Sequence, residues 1–147
     1  MRRRFRVLVL ALLGVVGLAP GCGSSAVKPG TVVTGKIVKG GQPLQVPRRD
    51  INLGMVELEL VPVRAPGEPV TGVEVTWVQE DGSFALRGAG QGIPPGKYKV
   101  AVYQRVQGPG SDQLQGKFAR DRTPLQFDVP DAKGGTHDLG TIELDRP

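Results

Sequence analysis

Apolar and polar positions alternate with a period of two along most of the chain. Val56-Glu57-Leu58-Glu59-Leu60 is strict, and Val73-Glu74-Val75-Thr76-Trp77, Tyr98-Lys99-Val100-Ala101-Val102 and Leu125-Gln126-Phe127-Asp128-Val129 follow the same rhythm. Successive side chains of an extended chain point to opposite faces, so each stretch predicts a strand with one dry and one wet face. No segment of ten or more residues after Cys22 carries a helical period. The breaks are turn residues. Gly40-Gly41 ends the first strand, Asp81-Gly82 signals a tight hairpin, Pro94-Pro95-Gly96 leads into the Tyr98 strand, and Gly134-Gly135 precedes the last one. Strands are predicted at 31–39, 54–62, 72–79, 83–87, 97–104, 124–129 and 137–144. Seven short strands at this spacing predict an all-β, antiparallel sandwich. Leu139 and Ile142 are three apart, and a bulge at Gly140 would restore the alternation. The expected core is Val33, Ile37, Val56, Leu58, Leu60, Val73, Val75, Trp77, Phe84, Leu86, Tyr98, Val100, Val102, Leu125, Phe127, Val129, Leu139 and Ile142.

Composition narrows the chemistry. With 22 Gly and 13 Pro among 147 residues, the chain sits just under the roughly 25–30% that marks disorder, so the strand pattern is what establishes a core. A single Cys excludes an intrachain disulfide and a multi-cysteine metal site, and a single His excludes a poly-histidine centre. No cofactor and no metal are expected.

The first residues form a separate unit. Arg2, Arg3, Arg4 and Arg6 precede an apolar or small run from Val7 to Ala19. As a helix the run would reach roughly 20 Å, against a hydrocarbon core of about 30 Å, which suits a secretory signal better than a membrane span. Leu18-Ala19-Pro20-Gly21-Cys22-Gly23 resembles a bacterial lipobox, with Ala19 where Leu is usual and Pro20 inserted. The resemblance implies lipidation of Cys22, which becomes the mature first residue and anchors the chain without a spanning helix. Ordinary secretion would leave Cys22 an odd free thiol in an oxidising compartment. Gly23 is not the acidic residue that holds enterobacterial lipoproteins at the inner membrane, which favours the outer membrane. Four of the 19 basic residues fall in the signal, leaving 15 against 14 acidic ones. The basic footprint of nucleic-acid binding is therefore absent after processing. The expected organisation is a signal peptide at 1–21, a lipidated N-terminus with a small, polar tether at 22–30, and one domain at 31–147.

Within that domain Val33-Thr34-Gly35-Lys36-Ile37, Gly41-Gln42-Pro43-Leu44, Asp81-Gly82-Ser83-Phe84-Ala85-Leu86 and Pro95-Gly96-Lys97-Tyr98-Lys99-Val100 resemble carboxypeptidase regulatory-like (transthyretin-like) domains. Lys117-Phe118-Ala119 and Thr123-Pro124-Leu125-Gln126-Phe127-Asp128-Val129 resemble the C-terminal half of small planctomycete lipoproteins. The resemblance covers about residues 31–144 and implies a Greek-key β-sandwich at the cell envelope, with no assigned chemistry. The stretch Gln45 to Asn52 is a longer first connection than the pattern expects. The hydroxyisourate hydrolase activity of transthyretin relatives needs more than one His and a C-terminal Tyr-Arg-Gly-Ser, whereas this chain has only His137 and ends Leu144-Asp145-Arg146-Pro147.

The site reading is sparse. His137 reads as a solvent-exposed loop histidine. Strand phase turns Lys36, Glu57 and Glu59 away from the core, which argues against an internal isopeptide bond. Trp77 is in phase with Val73 and Val75 and so reads as core, while Tyr103 reads as exposed and, alone, a weak platform for sugars. The Gly/Pro-rich stretch 104–115 reads first as a mobile connector and second as a partner-binding loop, with Tyr103, Gln104, Arg105, Asp112 and Gln113 as its candidates. The expected function is a non-enzymatic, lipid-anchored envelope protein whose sandwich is a structural or protein-interaction module. The alternative is a module that binds carbohydrate or a surface polymer.

Overall fold

The computed structural model describes residues 30–45, 54–106 and 111–145. The signal segment, Cys22 and the tether up to residue 29 lie outside the described residues, as does most of the long first connection. Among the described residues no helix is long and apolar enough to cross a membrane.

Eight strands form the domain: β1 (Val32–Lys39), β2 (Gln42–Pro43), β3 (Met55–Pro62), β4 (Glu74–Trp77), β5 (Ser83–Leu86), β6 (Gly96–Arg105), β7 (Gln126–Val129) and β8 (Thr136–Glu143). The seven expected strands are all present, and the two-residue β2 is the addition. They make two sheets. In the first, β8 lies along one edge of β1, while β5 and β2 share the other edge end to end. In the second the order is β4-β3-β6-β7, antiparallel throughout.

The pairing departs from the sequence reading in two places. The β1–β8 pair is parallel, so the sandwich is not wholly antiparallel. The Asp81-Gly82 turn exists, with Gly82 N–H donating to the Gln79 carbonyl at 3.0 Å. The strands it joins do not form a hairpin ladder, because β4 pairs with β3 and β5 with β1. This turn is a corner between sheets. Thr76 Oγ1 closes the seam by donating to the Ala85 carbonyl at 3.0 Å.

The bulge lies where the alternation requires it. Between the Thr34–Asp138 and Lys36–Thr141 pairs β8 advances one residue more than β1. Gly140 takes up the extra residue at φ 70°, a left-handed conformation that Gly adopts without steric cost. Leu139 and Ile142 thereby both reach the core side.

The core joins the inner faces of both sheets. Val33, Ile37, Val56, Leu58, Leu60, Phe84, Leu86, Tyr98, Val100, Val102, Val129 and Ile142 are buried, and Leu125, Phe127 and Leu139 pack against them partly buried. Connections add Leu44, Ile93, Leu114, Phe118 and Leu144. Three expected core residues are not there: Val73 is only half-buried and outside the core cluster, and Val75 and Trp77 are 49% and 51% exposed. The reason is register. Cross-strand partners share a face. Trp77 lies opposite Glu57 and Val75 opposite Glu59, whereas Leu58, on the core face, lies opposite Thr76. Val78, next along the chain, is buried. The run 73–78 carries apolar residues in both phases, and its partner strand selects the phase that buries Val78.

Candidate functional site

The outer face of the second sheet collects the side chains that the core does not use. Two cross-strand rows follow from the register. One runs Trp77 (β4), Glu57 (β3), Tyr103 (β6), and the next runs Val75, Glu59, Ala101. Strands sit about 4.8 Å apart, so Trp77 and Tyr103 are separated by about 9.6 Å at the backbone, with Glu57 between them.

Each glutamate of these rows is held by an arginine. Arg105, two residues beyond Tyr103 on β6, donates from Nη2 to Glu57 Oε1 at 3.3 Å. Its guanidinium also lies over the Tyr103 ring, 4.6 Å from the centroid, a cation–π contact. Arg120 comes from the segment between β6 and β7. It grips Glu59 with two parallel bonds, Nε to Oε2 and Nη2 to Oε1, the second at 2.6 Å. This is the bidentate fork that suits guanidinium to carboxylate. Glu59 is only 5% exposed although it points outward, because Arg120 and its segment cover it. Donating these hydrogen bonds to Glu59 holds the pKa of the Arg120 guanidinium above its ordinary value. Arg120 N–H also donates to the Tyr103 hydroxyl at 3.3 Å. Burial, foremost, raises the Tyr103 phenol above its usual range.

The stretch read as a connector is, where described, fastened along β6. The Asp112 carboxylate accepts the backbone N–H of Gln104 (2.9 Å), Leu114 (3.1 Å) and Gly116 (2.9 Å). Gln113 N–H donates to the Gln104 carbonyl, Val102 N–H to the Phe118 carbonyl and Val100 N–H to the Leu125 carbonyl. The edge of β6 beyond β7 is thus completed by loop backbone. Among the described residues no strand pairs with the second edge of β4. The β3–β4 ladder carries Val78 N–H to the Val56 carbonyl, so by alternation the N–H and C=O of Val75 and Trp77 turn away from β3.

Of the loop candidates, Tyr103 and Arg105 come together on the outer face, and Tyr103 is half-buried there rather than open. Gln104 belongs to β6 and donates from its amide to the Gln45 carbonyl at 2.9 Å. Asp112 organises backbone, and Gln113 is exposed. His137 lies within β8, half-buried, not in a loop. Sequence reasoning turned Glu57 and Glu59 outward but missed Trp77 and Arg120 as members of the same face. The parity of Val78 against Trp77 was the available signal for Trp77. Nothing local marks Arg120, whose partner is 61 residues away. Among the described residues no group of three or more His, Cys, Asp or Glu is placed to hold a metal ion.

Comparison with known proteins finds no matching family model and no matching curated protein. Among solved structures the chain is similar to a crystal structure of a 9R-lipoxygenase from Cyanothece PCC8801, at 17% identity and a TM-score of 0.40. The likeness covers 82% of this chain and 17% of that one. A likeness of that size bears on neither fold nor activity.

Proposed function

We propose that this protein is a lipid-anchored component of a bacterial cell envelope whose β-sandwich is a non-catalytic binding module. Its working surface is the outer face of the β4-β3-β6-β7 sheet. One observation carries the reading: Trp77 stands half exposed on that face beside glutamates that arginines already engage. Carboxylates tied up in this way fix the shape of a surface. A reaction centre would call for titratable groups converging on open space within reach of a substrate.

The anchor rests on the sequence alone, on the Arg cluster, the short apolar run and the lipobox-like residues ending at Cys22. The two-sheet strand orders are compatible with a Greek-key sandwich, and the carboxypeptidase regulatory-like assignment rests on the turn and core residues of the sequence. Gly23 favours the outer membrane as the address.

Two measurements test the reading. Cys22→Ser should move the protein from the membrane to the soluble fraction on cell fractionation, and an unchanged membrane fraction would defeat the anchor. The purified full-length chain in detergent should be retained on washed envelope material, with retention lost in Trp77→Arg. Retention that ignores Trp77, or none at all, would defeat the binding face.

A further inference from the structure

We infer that the Trp77 face binds uncharged polysaccharide chains laid across the strands, an assignment that rests on the binding-face reading above and specifies its ligand. Trp77 supplies a flat apolar ring at the edge of a sheet, half of it open to solvent. The C–H face of a pyranose ring is the matching surface, since it is apolar on the ring face and hydroxylated around the rim. Beside the indole stand preformed polar groups: the partly exposed Glu57–Arg105 pair across from it, and the half-open guanidinium of Arg120, held in place by the buried Glu59. Their geometry is fixed by their own bonds, so hydroxyls can exchange water for these groups without ordering new side chains.

Charge selects against other partners. Both acids in the two rows are matched by an arginine, so a phosphorylated polymer, a nucleic acid or an acidic peptide gains no attraction there. An uncharged ligand loses nothing. A protein partner is disfavoured too, because stable protein interfaces have an apolar centre depleted in charge, whereas ion pairs lie directly against Trp77 and Val75. The face is a sheet surface rather than the concave, largely apolar cavity typical of small-molecule sites, which favours a polymer over a single sugar. A chain crossing the strands would stack on Trp77, pass over the Glu57–Arg105 pair and end against Tyr103 under its Arg105 cover, a path of about 9.6 Å at the backbone. Many anchored copies along one polymer would convert a weak contact into firm attachment.

Trp77 is the sole tryptophan in the chain, so intrinsic fluorescence reports on the proposed site directly. The test titrates the full-length chain in detergent with laminarin, glucomannan and hydroxyethylcellulose as neutral probes, and with alginate as a charged one. A saturable emission change is expected with at least one neutral polymer and little dependence on salt. By affinity electrophoresis Trp77→Ala should weaken that binding by about tenfold or more, the order expected for a lost stacking contact, while Trp77→Phe keeps part of it. No response to any neutral polymer would overturn the inference. So would binding confined to alginate and abolished by salt, or neutral-polymer binding that survives Trp77→Ala. A blue shift that grows with protein concentration alone would also overturn it, by showing a second copy covering β4. If neutral polymers fail while envelope retention still requires Trp77, the ligand class is wrong and the binding face stands.

Discussion

Replacing Trp77 with alanine separates two incompatible accounts of residues 73–77. Were the indole part of the core, as its phase with Val73 and Val75 suggests, its loss would cost about 3–5 kcal/mol. In the structure it is 51% exposed on an edge strand, opposite Glu57. What then disappears is a cross-strand contact of about 0.2–1 kcal/mol and part of a β-propensity difference spanning about 1 kcal/mol. The expected loss is therefore about 0.5–1.5 kcal/mol. Leu58→Ala is the internal standard: Leu58 is fully buried on the same sheet, and its truncation should cost about 2–5 kcal/mol. Urea unfolding followed by far-ultraviolet circular dichroism measures both, since Trp77→Ala removes the only tryptophan. The midpoint should move without a change in slope. A loss above about 3 kcal/mol, or one equal to that of Leu58→Ala, would refute the placement of β4 and with it the proposed binding face.

Three further outcomes are expected. Arg120→Ala leaves Glu59 unpaired and strips part of its cover, and should cost about 1–3 kcal/mol, below the full value for a buried pair because Arg120 is itself half open and water can reach the freed carboxylate. Adding Glu59→Gln should recover much of that loss in the urea midpoint, and simple additivity would contradict the pairing. Asp112→Ala removes the acceptor of three backbone N–H groups. It should cost roughly 1–3 kcal/mol and accelerate hydrogen exchange at Gln104, Leu114 and Gly116, with unchanged exchange at those amides counting against the assigned role. Finally, burial is the main cause that raises the phenols of Tyr98 and Tyr103, the two tyrosines of the chain. Because their folded values exceed the unfolded value of about 10, their contribution to stability is intact below that pH and falls as pH rises through the folded values. Phenolate absorbance should appear later in the folded protein than in urea, and coincident titrations would contradict the burial.

Much of the fold was legible in the chain because a period of two, punctuated by Gly and Pro, is imposed by local geometry. The strands from Val32 to Glu143, the Gly140 bulge and most of the core follow from it. What the pattern could not carry was pairing. The parallel β1–β8 contact joins residues about a hundred positions apart, and no local signal encodes it. The phase of β4 failed for a related reason. Trp77 and Val78 compete for the interior, and the competition is decided by β3 and by the Thr76–Ala85 seam. The candidate site inherits both problems. Tyr103 and Arg105 are near neighbours and could be grouped from sequence, whereas Trp77 comes opposite Glu57 through strand pairing and Arg120 reaches Glu59 from a long connection.

The side-by-side placement of β1 and β8 also sets the order in which the domain can be finished. β1 is the strand that every other member of its sheet pairs with, yet its longest partner is made almost a hundred residues later. Until Thr136–Glu143 is available, one flank of β1 has no ladder and the buried Ile142 is missing from the interior. Closing so wide a loop is entropically slow. A polypeptide threaded through a translocon, as the proposed secretory route requires, would for this reason stay pliable during passage and lock into shape only after its last strand emerges on the far side.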